Sequence, residues 1–259
     1  MQLGIVVPVE QSASVKASGY DFVEETVPRL LQGQVADEQW TGARRAAGCV
    51  LPLIAANMLV PGSLKITGPD ALMDKLRPYI QRVVGRAAKV GMKTLVFGSA
   101  PARNVPEGFD RKQAKRQILE FVRMATNVCM SHGITLVCEP INSRDGNIIT
   151  TVREAMEYVW EIDHPNFQCL VDSYHFCVDD EPLENLREAM PWIRHVHLAD
   201  VENRVPPGIS GKDDYRPFFA VLKEGGYDAP LSVETFDYAP LLDEAPRVAE
   251  FLRKQWAEA

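Results

Sequence analysis

The chain has 259 residues, 46% of them hydrophobic and 24% charged, with a formal net charge of -7. An acidic balance of this kind argues against non-specific nucleic-acid binding, which needs a basic surface, so nucleic acid is not an expected partner, although one local basic patch is compatible with it. No apolar run reaches the roughly 18 residues of a membrane-spanning helix, so no membrane association is expected.

The amino terminus, Met1-Gln-Leu-Gly-Ile-Val-Val-Pro8, enters a strand at once. It carries neither a basic flank nor the apolar stretch of a secretion signal. Phe22 to Glu25 is the second strand candidate. The stretch 32–47 that follows has no clear period, and the helix after the first strand is short. A third strand is expected over 51–59. The run 70–89 places Leu72, Leu76, Ile80, Val83 and Ala87 on one helical face, with Pro69 as a start signal and Gly91 as a stop. A fourth strand (93–98) leads to a helix over 111–131, in which Ile118, Phe121, Val122, Ala125 and Cys129 share a face and Gly133 ends the run. Strands at 135–140, 167–172, 193–198 and 231–236 then alternate with helices at 150–161, 182–190, 215–223 and 241–256.

Strands alternating with helices imply parallel pairing through right-handed crossovers. Eight repeats in a chain of this length fit one (β/α)8 TIM barrel occupying residues 1–259 as a single domain. An open dinucleotide-binding sheet would need a glycine-rich turn after the first strand, and no such motif exists. Five cysteines form no C-x-x-C pair. Cys138 and Cys169 lie in apolar runs, where cysteine acts as a small hydrophobe, and a reducing cytoplasm is the simplest setting.

Four of the strand candidates end in a side chain able to hold a metal: Glu139, Asp172, His197 and Glu234. In a parallel barrel such ends converge on one face, where chemistry collects. Three unpaired carboxylates buried together would cost several kcal/mol or more without a cation. Three oxygens and one imidazole suit Mn2+, Mg2+, Co2+ or Zn2+ over softer metals. A single glutamate at a strand end is more often an ion-pair partner, but four such groups on four strands form a set. His195 shares a strand face with His197 and belongs one layer deeper. His175 follows Asp172 by three and can reach the same pocket. Arg204, in a proline-stiffened loop after His197, is the best cationic substrate contact. Arg103, Arg144 and Arg204 are the candidates for a phosphate-binding cluster.

These segments resemble the xylose isomerase-like barrel superfamily, in particular its ketose 3-epimerase and hydroxypyruvate isomerase branch. Glu139-Pro-Ile-Asn142 resembles the first glutamate motif of that group, and Asp172-Ser-Tyr-His175 its D-x-x-H motif. His195-Val-His-Leu-Ala-Asp200 matches the H-x-H segment and Ser232-Val-Glu234 the last glutamate. Phe97-Gly-Ser-Ala-Pro-Ala-Arg103 and Asp214-Tyr-Arg-Pro-Phe-Phe219 are further family-like runs. The resemblance covers the chain from about the third strand onward. It implies that Glu139, Asp172, His197 and Glu234 hold the metal, that Glu139 and Glu234 transfer protons, and that His175, Arg204, Asp145 and Asn142 contact substrate. Two positions depart from the pattern: Arg204 is one residue further from His197, and Asp145 stands where a glutamate is common. A three-zinc nuclease of the same fold would need histidines this chain lacks.

The chemistry so implied begins with removal of a proton beside a sugar carbonyl, giving an enediolate. Returning a proton to the opposite face gives epimerisation, and returning it to the adjacent carbon gives aldose–ketose isomerisation. Loss of a β-hydroxyl would give a dehydratase, the alternative reading. A silent sugar-binding barrel is a third, disfavoured because binding needs no paired base. A small sugar is the expected partner, and a homo-oligomer is compatible with the sequence.

Overall fold

The computed structural model describes residues 1–259 and shows eight parallel strands closed into a barrel in sequence order. They are β1 (Leu3–Val6), β2 (Phe22–Thr26), β3 (Leu53–Asn57), β4 (Thr94–Phe97), β5 (Thr135–Cys138), β6 (Phe167–Asp172), β7 (Ile193–Leu198) and β8 (Leu231–Val233). The ring closes where β8 pairs with β1, Leu231 opposite Leu3. Each strand lies where its hydrophobic run predicts. β1 stops at Val6, short of the Val9 that its apolar run reaches, and β5 at Cys138, short of the expected Pro140, because Pro8 and Pro140 have no N–H to continue the ladder.

Ten helices surround the barrel: α1 (Ser12–Ala17), α2 (Gly42–Ala46), α3 (Met73–Lys89), α4 (Ala100–Arg103), α5 (Arg111–Met130), α6 (Val152–Ile162), α7 (Ser173–Val178), α8 (Leu183–Ala189), α9 (Arg216–Glu224) and α10 (Tyr238–Glu258). Side-chain caps set several boundaries. Asp110 accepts from the N–H groups of Lys112 and Gln113 at 3.1 Å each and opens α5. Thr151 accepts from Glu154 N–H at 3.1 Å, while the Glu154 carboxylate accepts from Thr150 N–H at 2.8 Å, so α6 begins with a reciprocal cap. Asp237 accepts from Ala239 N–H at 2.9 Å, which starts α10 three residues before the expected Leu241. α3 begins later than expected: Ala71 N–H turns back to Gly68 O at 3.3 Å, so the residues after Pro69 form a turn.

The aperiodic stretch after β2 folds as a π turn (Val27–Leu31), a 3-10 turn (Asp37–Gln39) and α2. Its carbonyls find no partners in a ladder. Arg86 of α3, 3% exposed, supplies them instead, donating to Leu31 O at 2.8 Å, Gln32 O at 2.6 Å and Val35 O at 2.7 Å. A sequence period cannot report such a long-range side-chain clamp.

The main apolar core lies between the strands and the helices. Alternate strand residues point inward. Val96, Val137 and Leu170 form a separate buried cluster apart from that main core. Gly4 leaves room for Phe22, whose ring a Cβ at position 4 would overlap. The next inward position on each strand, two residues further on, reaches the carboxyl-terminal mouth. No helix is long and apolar enough to cross a membrane.

Candidate active site

Two residues beyond Val137 stands Glu139, two beyond Leu170 stands Asp172, and the same step from His195 gives His197 and from Ser232 gives Glu234. The period of two thus places four metal-capable groups on one rim. Their ligand atoms lie within 4.8 Å of one another, and Glu139, Asp172 and His197 are buried. His197 Nδ1 faces Glu234 Oε2 at 2.9 Å and Glu139 Oε1 at 3.4 Å, but forms no well-angled hydrogen bond with either. A buried, unpartnered imidazole nitrogen aimed at converging carboxylates fits a divalent cation, with three oxygens and one nitrogen as donors.

Arg204 carries positive charge against the same cluster. Its Nη2 lies 2.6 Å from both Asp172 Oδ2 and Glu234 Oε2. Tyr174 and Phe236 flank the guanidinium at 5.0 and 5.4 Å. Asn203 and Arg204 both have left-handed backbones, with φ of 56° and 50°, a costly conformation for residues with a Cβ. Asp200, fully buried, holds the loop in that shape. It accepts from Gly208 N–H and Ser210 N–H at 2.9 Å each and from the Tyr215 hydroxyl at 2.9 Å.

His175 is buried on α7, and Nδ1 accepts from Asn142 N–H at 3.3 Å. A backbone N–H can only donate, so in the neutral ring Nε2 carries the proton. That nitrogen is unpartnered and lies 3.6 Å from Asp172 Oδ2. His175 and Asp145 line a cavity of ≈ 510 Å³ together with Asn57, Gly98, Glu139, Arg204 and Glu234. Asn142 is not on that wall. It is fully buried, and its Oδ1 accepts from Arg144 N–H at 3.0 Å and Asp145 N–H at 3.1 Å, while Nδ2 donates to Asp145 at 3.0 Å. Its place is beneath the loop that presents Asp145. No phosphate cluster forms either, because Arg103 is fully buried on backbone carbonyls and Arg204 is engaged by Asp172 and Glu234.

The field is strongly coupled. Burial opposes ionisation of Glu234, but Arg204 and His197 outweigh it and bring its pKa down to about 2. Burial likewise opposes charging of His197, yet Glu24 and Glu234 push its pKa well above the usual value. A divalent cation would take the place of the proton on Nδ1.

Residues 13–255 match the family described as Xylose isomerase-like TIM barrel. The chain belongs to that family. A human protein provisionally named hydroxypyruvate isomerase is 29% identical over 250 residues, 93% of this chain and 86% of its own length. A ketose 3-epimerase of Arthrobacter globiformis is 29% identical over 130 residues, which span 49% of this chain and 43% of that one. Among solved structures, D-allulose 3-epimerase from Methylomonas sp. in complex with D-allulose superposes with a TM-score of 0.84. It is 19% identical, covering 98% of this chain and 97% of that one.

Two groups that support the rim of this xylose isomerase-like barrel, Glu24 and Asn57, were not singled out by sequence, and a third, Arg103, was read only as a phosphate candidate. Glu24, on β2, is fully buried and meets both strand histidines across the barrel: His195 Nε2 at 2.7 Å and His197 Nε2 at 3.0 Å. Burial opposes its ionisation, but His197 and His195 hold its carboxyl well below the usual range. Asn57, ending β3, hydrogen-bonds Glu234 Oε1 through Nδ2. Arg103 donates to Phe97 O at 2.9 Å, Glu139 O at 2.8 Å and Ile149 O at 3.2 Å, tying together the ends of β4 and β5. A glutamate inside the apolar run Phe22-Val-Glu24 was the one available signal, since a buried carboxylate requires a partner. His195 lies in the deeper layer, as its spacing from His197 predicts.

Proposed function

We propose that the chain is a divalent-metal-dependent sugar isomerase or epimerase acting through an enediolate, with Glu139 and Glu234 as its acid/base pair. The observation that carries this reading is the convergence of those two carboxylates, from β5 and β8, on one unpartnered imidazole nitrogen of His197. Paired carboxylates on separate strands can address two faces of one carbon, which a binding protein would not need. The names of the relatives, hydroxypyruvate isomerase and ketose 3-epimerase, agree with proton transfer beside a carbonyl.

Glu139, Asp172, His197 and Glu234 would hold the cation, Mn2+ foremost and Mg2+, Co2+ or Zn2+ as alternatives. When bound it would polarise a carbonyl oxygen and stabilise charge developing on it. Arg204 and His197 hold the Glu234 carboxyl low, which favours the unprotonated form that a base needs. Its hydrogen bond from Asn57 and its contact with Arg204 fix both oxygens. Arg103 holds the Glu139 carbonyl, and Gly98 leaves space for the Glu139 carboxylate, which a Cβ there would meet. The Nε2 proton of His175 and the guanidinium of Arg204 are placed to donate to substrate oxygens. Asp145, on the cavity wall, can accept from a substrate hydroxyl.

The test is solvent deuterium exchange over a panel of ketoses and aldoses with Mn2+ present. Exchange into recovered substrate, reversible and lost in Glu139→Gln and Glu234→Gln, is the expected result. Irreversible formation of an absorbing enone would show a dehydratase, and the absence of exchange from every sugar would remove the proposal.

A further inference from the structure

We infer that Glu24 is the positioning residue that fixes His197 with its Nδ1 toward the metal site. The inference rests on the metal reading of that site given above. Glu24 stands on β2 and the two histidines on β7, so β8 and β1 separate them in the sheet and the side chains meet across the barrel interior. All three are fully buried. The two Nε2 atoms approach different oxygens of the one carboxylate: His195 reaches Oε2 at 2.7 Å and His197 reaches Oε1 at 3.0 Å.

An ionised carboxylate only accepts hydrogen bonds. Each ring must therefore present an N–H at Nε2. In a neutral imidazole the other nitrogen is then bare. For His197 that nitrogen is Nδ1, which faces Glu139 and Glu234 with no well-angled hydrogen bond and is the atom a cation would take in place of a proton. A flip of the ring would point carbon at Glu24 and remove the nitrogen from the cluster.

His195 has its own part in this arrangement. By binding the second oxygen it fixes the plane of the carboxylate, which could otherwise swing about its terminal bond. Its ring also packs edge-on against His197, with centroids 5.1 Å apart and an interplanar angle of 83°. The H-x-H spacing thus has a physical reason: two inward positions of one strand place both rings on one acceptor. Glu24 does not line the cavity, and its carboxylate hydrogen-bonds only the two histidines, so its positioning action runs through His197.

Substituting Glu24→Gln tests this directly. A carboxamide can accept from one ring only, and its NH2 group forces the other ring to present a bare Nε2. Loss of an outer hydrogen-bond partner of a metal-bound histidine typically costs about 10–100-fold in metal affinity. Zn2+ is the probe, because it is diamagnetic. Binding would be measured by calorimetry, and long-range 1H–15N spectra of the Zn2+-loaded protein would identify the ligand nitrogen.

The expected result is wild type with His197 bound through Nδ1 and protonated at Nε2. Folded Glu24→Gln, verified by circular dichroism, should bind Zn2+ about 10–100-fold more weakly, with the Nε2 proton of His197 displaced or exchange-broadened. A merely structural role would lower thermal stability and leave affinity and ligand nitrogen unchanged. Folded Glu24→Gln binding within about twofold of wild type would overturn the role of Glu24 while leaving the metal site standing. If that variant does not fold, the wild-type spectrum still decides, since Zn2+ bound through Nε2 overturns the inference. Wild type that binds no Zn2+ overturns the metal reading itself.

Discussion

Arg103→Met is the most informative test of how the rim is built. The wild-type side chain is fully buried and has no carboxylate hydrogen-bond partner. Its guanidinium instead donates to three carbonyls, of Phe97, Glu139 and Ile149. Methionine fills much of the volume but donates nothing. Each abandoned carbonyl costs about 1–3 kcal/mol, so the gross loss is about 3–9 kcal/mol. Relief of burying a charged group offsets part of that, which leaves a net loss of about 1–5 kcal/mol. For a domain of this size that lowers Tm by roughly 2–20 °C. Urea titration with tryptophan fluorescence would measure the loss. Arg103→Lys should also fall well short of wild type, because an ammonium cannot reproduce the planar fork. A loss below about 1 kcal/mol in Arg103→Met would refute the claim that these three bonds hold β4 and β5 in register.

Gly98→Ala should displace the Glu139 carboxylate, because the new Cβ overlaps Oε2; activity should fall at least about tenfold with little change in Tm, whereas retained activity contradicts the close approach. Glu139→Gln and Glu234→Gln should each lower deuterium exchange by about 100-fold or more, and a variant retaining most of its exchange would remove that residue from proton transfer. In the metal-free protein, Glu234 has a folded pKa of about 2 against an ordinary value of 4.5. A lowered pKa contributes stability that is fully present above the ordinary value and is lost as pH falls toward the folded one. Tm of the metal-free wild type should therefore decline between about pH 4.5 and pH 2, and Glu234→Gln should flatten part of that decline; parallel curves would contradict the sign.

The barrel was legible because its signal is periodic. Strand runs two residues apart in facing, separated by amphipathic helices, specify both the closed sheet and the inward rim on which Glu139, Asp172, His197 and Glu234 stand. The cavity-lining positions were partly legible: His175 and Asp145 reach the cavity, but Asn142 does not line it, since a motif gives spacing and not depth. Glu24 and Asn57 escaped, and Arg103 was assigned the wrong role, for a common reason. Each acts through a partner remote in sequence, Glu24 on His197, Asn57 on Glu234 and Arg103 on Glu139. Such pairings exist only once the ring is closed. The irregular segment after β2 was opaque for the same reason, because its backbone is organised by Arg86 from α3.

The central claim is that four strand ends hold one divalent cation between two proton-transferring glutamates. Anomalous diffraction from crystals soaked in Mn2+ tests it most directly. The predicted result is one peak per chain, in contact with Glu139, Asp172, Glu234 and Nδ1 of His197, and absent from Asp172→Asn crystals soaked in the same way. A map without a peak there, or with manganese bound elsewhere, would contradict the account.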